Sequence, residues 1–240
     1  MISSTSNSQI KNIIKLQTQA KMRNKANQFV VEGIRMFSEI KEEKIVKNYV
    51  SESFFTNSLD DVKKKITASE YEIVEDGVFK QISDTVTPQG ILTIVEKNEA
   101  TIESISEGKT YLILENLQDP GNLGTIIRTA EGAGIDAVIM NKGTVDIYNP
   151  KVVRSTMGAI FRVPFLYVDE IKNTVQKLKD AGVLVYAAHL SGKKVYSDID
   201  YRKPSAFLIG NEGNGLTDEL SETANELIKI PMLGKVESLN

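Results

Sequence analysis

The chain reads as a two-part α/β protein. Short apolar runs of strand length alternate with segments whose apolar residues recur at helical spacing, and a polar, weakly periodic stretch from Lys97 to Lys109 interrupts that alternation. Polar turns that carry glycine then follow several of the apolar runs in the second half. With 240 residues and 41% hydrophobic content, the chain can fill one large core or two modest ones.

In order, Ser8 to Gln19 places Ile10, Ile13, Ile14 and Leu16 on one stripe with lysines elsewhere, which predicts a short basic amphipathic helix. A polar link, Lys21 to Asn27, comes next. Strands are expected at Phe29–Val31, Ile45–Val50, Tyr71–Val74 and Ile91–Val95. Helices are expected over Gly33–Glu43, around Leu59, Val62 and Ile66, and around Val78, Phe79 and Ile82. These form a first α/β domain over residues 1–97, with 98–109 as a linker. The second domain, 110–240, opens with strand Tyr111–Leu114, helix Gly124–Ala133 and strand Ala137–Met140. A helix begins at Asn149-Pro150, a capping residue followed by the residue suited to the first helical position. Strand Val163–Val168, helix Glu170–Ala181 ended by Gly182, and strand Val183–Ala188 follow. A polar loop with Ser191-Gly192-Lys193-Lys194, strand Ala206–Gly210, helix Thr217–Ala224 and strand Leu227–Ile230 complete the reading.

Composition removes several function classes. The chain has no cysteine, which excludes disulfides, thiolate metal sites and cysteine nucleophiles. Its one histidine, His189, makes a histidine metal cluster or a Ser-His triad hard to assemble, and it reads best as a partly buried structural residue. No run approaches the roughly 20 apolar residues of a membrane span, and the first residues lack a signal-peptide core, so a cytoplasmic protein without membrane contact is expected. Net charge is −3, yet Lys11, Lys15, Lys21, Arg23 and Lys25 all precede the first acidic residue, Glu32. That segment reads either as a solvated face or as a phosphate contact.

Polar residues concentrate after strand Tyr111–Leu114, in the stretch E-N-L-Q-D-P-G-N-L-G-T-I-I-R-T-A-E-G-A-G from Glu115 to Gly134. Asp119-Pro120-Gly121 is a turn signal, while Asn116, Gln118, Asp119, Asn122 and Arg128 crowd the carboxyl end of a strand, where open α/β sheets bind ligands. Each has a plainer reading: Arg128 as a solvated helix arginine, Asn122 as a cap or turn residue. Glu212, in a second such turn, could be a carboxylate favoured by a helix dipole. A nucleotide-binding Rossmann turn at Gly121–Gly124 is weakened by the absence of G-x-G-x-x-G.

Two further turns join the first: F-L-I-G-N-E-G-N-G-L from Phe207 to Leu216, and I-K-I-P-M-L-G-K-V-E-S-L-N from Ile228 to Asn240. In order and content the three resemble the signature motifs of the SpoU (TrmH) family of RNA ribose 2′-O-methyltransferases, in the SPOUT superfamily, over Tyr111 to the C-terminus. The earlier half, with F-V-V-E-G-I-R and P-Q-G-I-L-T-I-V, resembles that family's substrate-binding domain. The resemblance implies a C-terminal SPOUT domain with a trefoil knot, a parallel sheet flanked by helices, beside a small N-terminal α/β domain. It implies a homodimer, S-adenosyl-L-methionine as methyl donor, no metal, and an RNA substrate, ribosomal RNA preferred. Transfer RNA as substrate, or a non-catalytic RNA-binding protein on the same scaffold, are the alternatives. Matched position by position, Asn122, Arg128, Glu212, Ser238 and Asn240 are the catalytic set, and Gly210, Ile230 and Leu239 hold the methyl donor. Ser155, Gly158 and Ala159 resemble a further family segment with a packing role.

The family assigns activation of the ribose hydroxyl to the arginine matched by Arg128. Because arginine ordinarily stays protonated, two versions stand: Arg128 takes the proton in a dry site, or it stays charged and stabilises the alkoxide while another acceptor, Glu212 first, removes the proton. The family continues past the third motif into a small-residue helix, whereas this sequence stops at Asn240, so a sequence cut short is expected.

Overall fold

The computed structural model describes residues 1–98, 100–105 and 109–234. The chain packs as two compact units: Met1–Asn98 with Asp146–Phe161, and Glu99–Val145 with Arg162–Asn240.

In the first unit, α1 (Ser8–Thr18) is capped by Asn7, whose side chain accepts the Gln9 N–H at 2.8 Å, and it buries Ile10, Ile13 and Leu16. Where a polar link is expected, α2 (Ala20–Ala26) forms instead. Ala, Met, Lys and Arg are all good helix formers, and the helix ends on Asn27 in the left-handed region, φ 54°. Arg23 is the reason this helix has a fixed place. Only 3% exposed, it donates through Nε (2.8 Å) and Nη2 (2.6 Å) to Asp146 Oδ2 and through Nη1 to the carbonyls of Leu16 (2.8 Å) and Gln17 (3.1 Å). It is therefore a strut, and not part of the solvated basic face that Lys11, Lys15 and Lys21 present.

Next come β1 (Gln28–Glu32), α3 (Ile34–Glu39), β2 (Ile45–Ser51), α4 (Glu52–Asn57), α5 (Asp60–Thr67), β3 (Tyr71–Val74), α6 (Asp76–Ile82) and β4 (Ile91–Glu96). The expected helix to Glu43 stops at Glu39 because Ile40 turns to extended backbone and buries its side chain. Helix α4, unforeseen, is capped by Ser51 accepting the Phe54 N–H at 3.2 Å. Gly90 (φ 86°) lies so close that a Cβ there would fall 2.4 Å from Phe54 Cβ. The sheet order is β1-β4-β2-β3, with β4 antiparallel to both β1 and β2, and β2 parallel to β3. Its centre contains one deliberate polar pair: fully buried Asn48 donates to the Ile66 carbonyl (3.1 Å) and accepts from the Thr93 hydroxyl (2.9 Å).

The second unit begins with β5 (Thr110–Leu114), α7 (Pro120–Gly132) and β6 (Ala137–Asn141). The chain then contributes α8 (Pro150–Ser155) to the first unit, although sequence placed all of 110–240 in the second domain. Tyr148 packs its ring 4.7 Å from Phe29 of β1, and Val152 and Val153 of α8 are buried with it. Returning, the chain adds β7 (Phe165–Val168), α9 (Ile171–Asp180), β8 (Leu184–Ala188), the two-residue β9 (Lys194–Val195), β10 (Ser205–Ile209), α10 (Asp218–Ser221) and β11 (Glu226–Lys229). All seven strands are parallel, in the order β7-β6-β5-β10-β8-β11-β9. Strands buried on both faces need continuous apolar runs, which is what Tyr111–Leu114, Ala137–Met140 and Ala206–Ile209 are. The order reverses between β5 and β10, where Leu114 lies level with Ile209, so the two loops leaving these strands emerge side by side. Among the described residues no helix is long and apolar enough to cross a membrane.

Because Arg23 is buried, losing its partner strands a charge. Asp146→Ala should lower unfolding stability by about 3 kcal/mol, read as a fall in urea midpoint at unchanged slope, and the double replacement Arg23→Met/Asp146→Leu should recover most of it. Equal losses in the single and the double variant would assign the effect to packing and to the Arg23 bonds with the Leu16 and Gln17 carbonyls, not to a stranded charge.

Candidate active site

Two neighbouring strand ends build the site. Past β5, Asp119 caps α7: its Oδ1 accepts the Asn122 N–H at 2.8 Å, and Pro120 occupies the first helical turn. Helix α7 therefore starts four residues before the expected Gly124, and Asn122 lies in its first turn and not in a loop. Past β10, Asn211 folds the second turn back on itself, its Oδ1 accepting from the N–H of Gly213 (2.9 Å) and Asn214 (3.0 Å). Gly210 is required here, since a Cβ would come 2.1 Å from the backbone of Gly215 and Leu216.

Glu212 joins the two turns. Its carboxylate accepts the N–H of Gln118 (3.1 Å) and of Asp119 (3.0 Å), and the Asn122 side-chain amide at 3.3 Å. Burial pushes this carboxyl up, but the N–H groups of Asp119, Glu212 itself and Gln118, with the Asn122 amide, outweigh that and hold it below the ordinary glutamate value. A carboxylate so held is a weak base. Gln118, Asp119, Pro120, Asn122 and Glu212 line a shallow cleft of about 600 Å³. A second cleft, between Glu115, Asn116 and Asn211 and the Leu216–Glu219 turn, shares Gln118 with it.

Of the sequence-nominated residues, the structure thus brings Asn122 and Glu212 into contact and sets Gly210 two residues before Glu212. Arg128 lies on the exposed flank of α7, with Thr125 and Thr129, opposite the buried Leu123, Ile127 and Ala130. Ile230, 51% exposed, follows β11. Ser238, Leu239 and Asn240 lie outside the described residues. His189, at the end of β8, pairs its Nδ1 with the Ser191 hydroxyl at 2.6 Å. Among the described residues no group of three or more His, Asp or Glu side chains could hold a metal ion.

Asn116, already singled out in the sequence, and three polar residues that were not, Glu115, Asn141 and Asn211, also hold this region. Glu115, 6% exposed, accepts both the Thr217 N–H and hydroxyl at 2.8 Å, fastening the second turn to the end of β5. Asn116, Asn141 and Asn211 link the ends of β5, β6 and β10 through their side-chain amides. A signal existed for each: a polar residue at or just beyond the end of an apolar parallel strand.

Comparison with known proteins gives the family. Residues 109–240 match the SpoU rRNA Methylase family, and residues 7–93 match the MRM3-like substrate binding domain. Over its whole length the chain is 35% identical to the 23S rRNA (guanosine(2553)-2′-O)-methyltransferase RlmP of Bacillus subtilis, covering 93% of that protein. Crystal structures of an rRNA methyltransferase from Sinorhizobium meliloti are similar too, at 32% identity and, for the AdoMet-bound form, 33%. Each covers 100% of this chain and 91% of its own, with a TM-score of 0.88. With the family match spanning more than half the chain and the first two motif turns side by side at the sheet reversal, the chain belongs to the SpoU rRNA methylase family.

Proposed function

We propose that this chain transfers a methyl group from S-adenosyl-L-methionine to a ribose 2′-hydroxyl in structured RNA, with ribosomal RNA as the substrate. The observation that carries the reading is the junction of Glu212 with Gln118, Asp119 and Asn122 at the sheet reversal, where open α/β sheets bind their ligands. The full-length similarity to a 23S rRNA 2′-O-methyltransferase supports the substrate class.

When bound, the donor supplies a methyl group on a sulfonium, which departs as a neutral thioether as the ribose oxygen takes the methyl. The chain's residues suit such a ligand: Ile230 and Leu233 expose apolar surface just past β11, able to cover an adenosyl group, and Gly210 lets the turn past β10 fold closely onto Gly215 and Leu216. Arg128 places a guanidinium where negative charge grows on the 2′ oxygen, and the hydroxyl proton passes to solvent. Glu212 is committed to backbone N–H groups, so its part is to hold the Gln118–Asn122 turn. Asn122 orients the ribose, with Ser238 and Asn240 completing the set and Leu239 joining Gly210 and Ile230 around the donor. The proposal includes a homodimer, a trefoil knot in the C-terminal part and a cytoplasmic setting, all supported by family membership.

S-adenosyl-L-methionine should raise the melting temperature, since a ligand of the folded state alone stabilises it by roughly 2.7 kcal/mol at a hundredfold excess over Kd. A folded sample showing neither a shift nor calorimetric binding at millimolar ligand would remove the donor from the proposal.

Arg128→Ala should leave folding and donor affinity intact and lower single-turnover methylation about a hundredfold or more. Arg128→Lys should resemble alanine at every pH if the planar fork is what matters; recovered activity with a shifted pH profile would show that the residue acts by giving up its proton.

For Glu212 the folded-state pKa lies below the unfolded one, so its stabilisation is present above the unfolded value of 4.5 and is lost as pH falls through the folded value. Glu212→Gln should therefore be less stable than the wild type at neutral pH, with the two converging under acid. Parallel stability curves down to acid pH would contradict the assigned role.

A further inference from the structure

We propose that Asn141, at the end of β6, is a positioning residue for methyl transfer: it acts through Asn116 to hold the turn that carries Gln118, Asp119 and the start of α7. The inference rests on the methyltransferase reading above. Asn116 has φ 55°, in the left-handed region that asparagine enters more readily than most side chains but keeps in a turn only where its surroundings favour it. The surroundings here do. Its N–H donates to Asn141 Oδ1 at 2.9 Å, and its Oδ1 accepts from Asn141 Nδ2 at 2.8 Å, so one amide grips both the backbone and the side chain of the same residue. Its carbonyl accepts from Asn211 Nδ2 (2.8 Å) and Gln118 Nε2 (3.1 Å).

The grip extends past the end of β6. Asn141 Oδ1 also accepts from the Thr144 hydroxyl (2.9 Å), whose oxygen takes the Leu117 N–H (3.3 Å), and the Val145 N–H donates to the Leu117 carbonyl (2.8 Å). Gly143 makes room for the arrangement: a Cβ on it would fall 2.0 Å from Asn116 Oδ1. Since β5 lies between β6 and β10, the turn is held from both flanks, by Asn211 and Glu212 on one side and by Asn141 and Thr144 on the other. Asn141 lines neither of the two clefts, so its influence on the chemistry passes through Asn116. What it sets is the aim of the Gln118 and Asp119 N–H groups at Glu212 and the entry angle of the helix bearing Arg128. A displacement of about 1 Å in such a support can cost up to roughly a hundredfold in rate.

The test compares full-length wild type with Asn141→Leu, Asn141→Asp, Gly143→Ala and Tyr111→Phe, measuring donor Kd, melting temperature and single-turnover methylation of ribosomal RNA lacking the modification. Asn141→Leu should lower the rate by about 10- to 100-fold with donor Kd unchanged. Asn141→Asp should regain most of that rate, because its carboxylate still accepts the Asn116 N–H and Asn116 can turn its amide to donate to the second oxygen. Gly143→Ala should repeat the loss by displacing the Asn116 side chain, and it carries the test if Asn141→Leu fails to fold. Tyr111→Phe is the control for destabilisation alone: it removes a buried hydroxyl that donates to the Ile105 carbonyl at 2.8 Å, before the start of β5, and should lower the melting temperature without lowering the rate of folded enzyme. The proposal is overturned if folded Asn141→Leu or Gly143→Ala keeps the wild-type rate, if aspartate is no better than leucine, or if Tyr111→Phe loses rate in the same proportion to its lost stability. A wild type that binds donor but methylates no RNA would instead overturn the function on which the inference rests.

Discussion

The pair of hydrogen bonds from the Gln118 and Asp119 backbone to the Glu212 carboxylate determines much of what the second unit can do. Strands β5 and β10 are neighbours in the sheet although far apart in the chain, and each ends in a polar turn with N–H groups to satisfy. A single carboxylate meets that need for one turn from the other. It also places negative charge at the beginning of α7, the end of a helix that favours it. The same bonds that fix the turns lower the proton affinity of Glu212, so the residue that organises the site is poorly fitted to take a proton in it.

Around this contact the site is built by neighbouring strands more than by its own loop. Glu115 holds the second turn from β5, Asn211 holds the first from β10, and Asn141 holds it from β6. The polar groups are cross-connected at strand ends whose bodies are wholly apolar, so rigidity is inherited from the sheet. Arg128 differs. It stands on the exposed flank of α7.

Much of the fold was legible because buried parallel strands announce themselves as uninterrupted apolar runs, as Tyr111–Leu114 and Ala137–Met140 do. What escaped was governed by single side chains. Helix α2 has almost no apolar stripe; its anchor is Arg23, whose burial cannot be inferred without knowing that Asp146, far along the chain, will meet it. The early start of α7 depends on Asp119 acting as a cap, a role that the same three residues Asp-Pro-Gly conceal by also spelling a turn. In the site, Asn122 and Glu212 were legible as residues of interest through their motifs, but their mutual contact required the strand order, which no spacing in the sequence encodes. Asn141 escaped because a lone asparagine after a strand ordinarily ends it and does nothing more.

The excursion of Asp146–Phe161 has a consequence for how the protein could be built or divided. Between β6 and β7 the chain leaves the seven-stranded unit, gives α8 and the ring of Tyr148 to β1, and comes back. Neither unit is therefore a continuous length of polypeptide. No single cut yields both intact: severing the chain after Asn98 deprives β1 of α8 and leaves Arg23 without Asp146, while the remaining fragment keeps Val152 and Val153 with nothing of the first unit to cover them. A ribosome making this chain has completed six of its strands before the first unit receives its last helix, so that unit reaches its final form only while the second is already under construction.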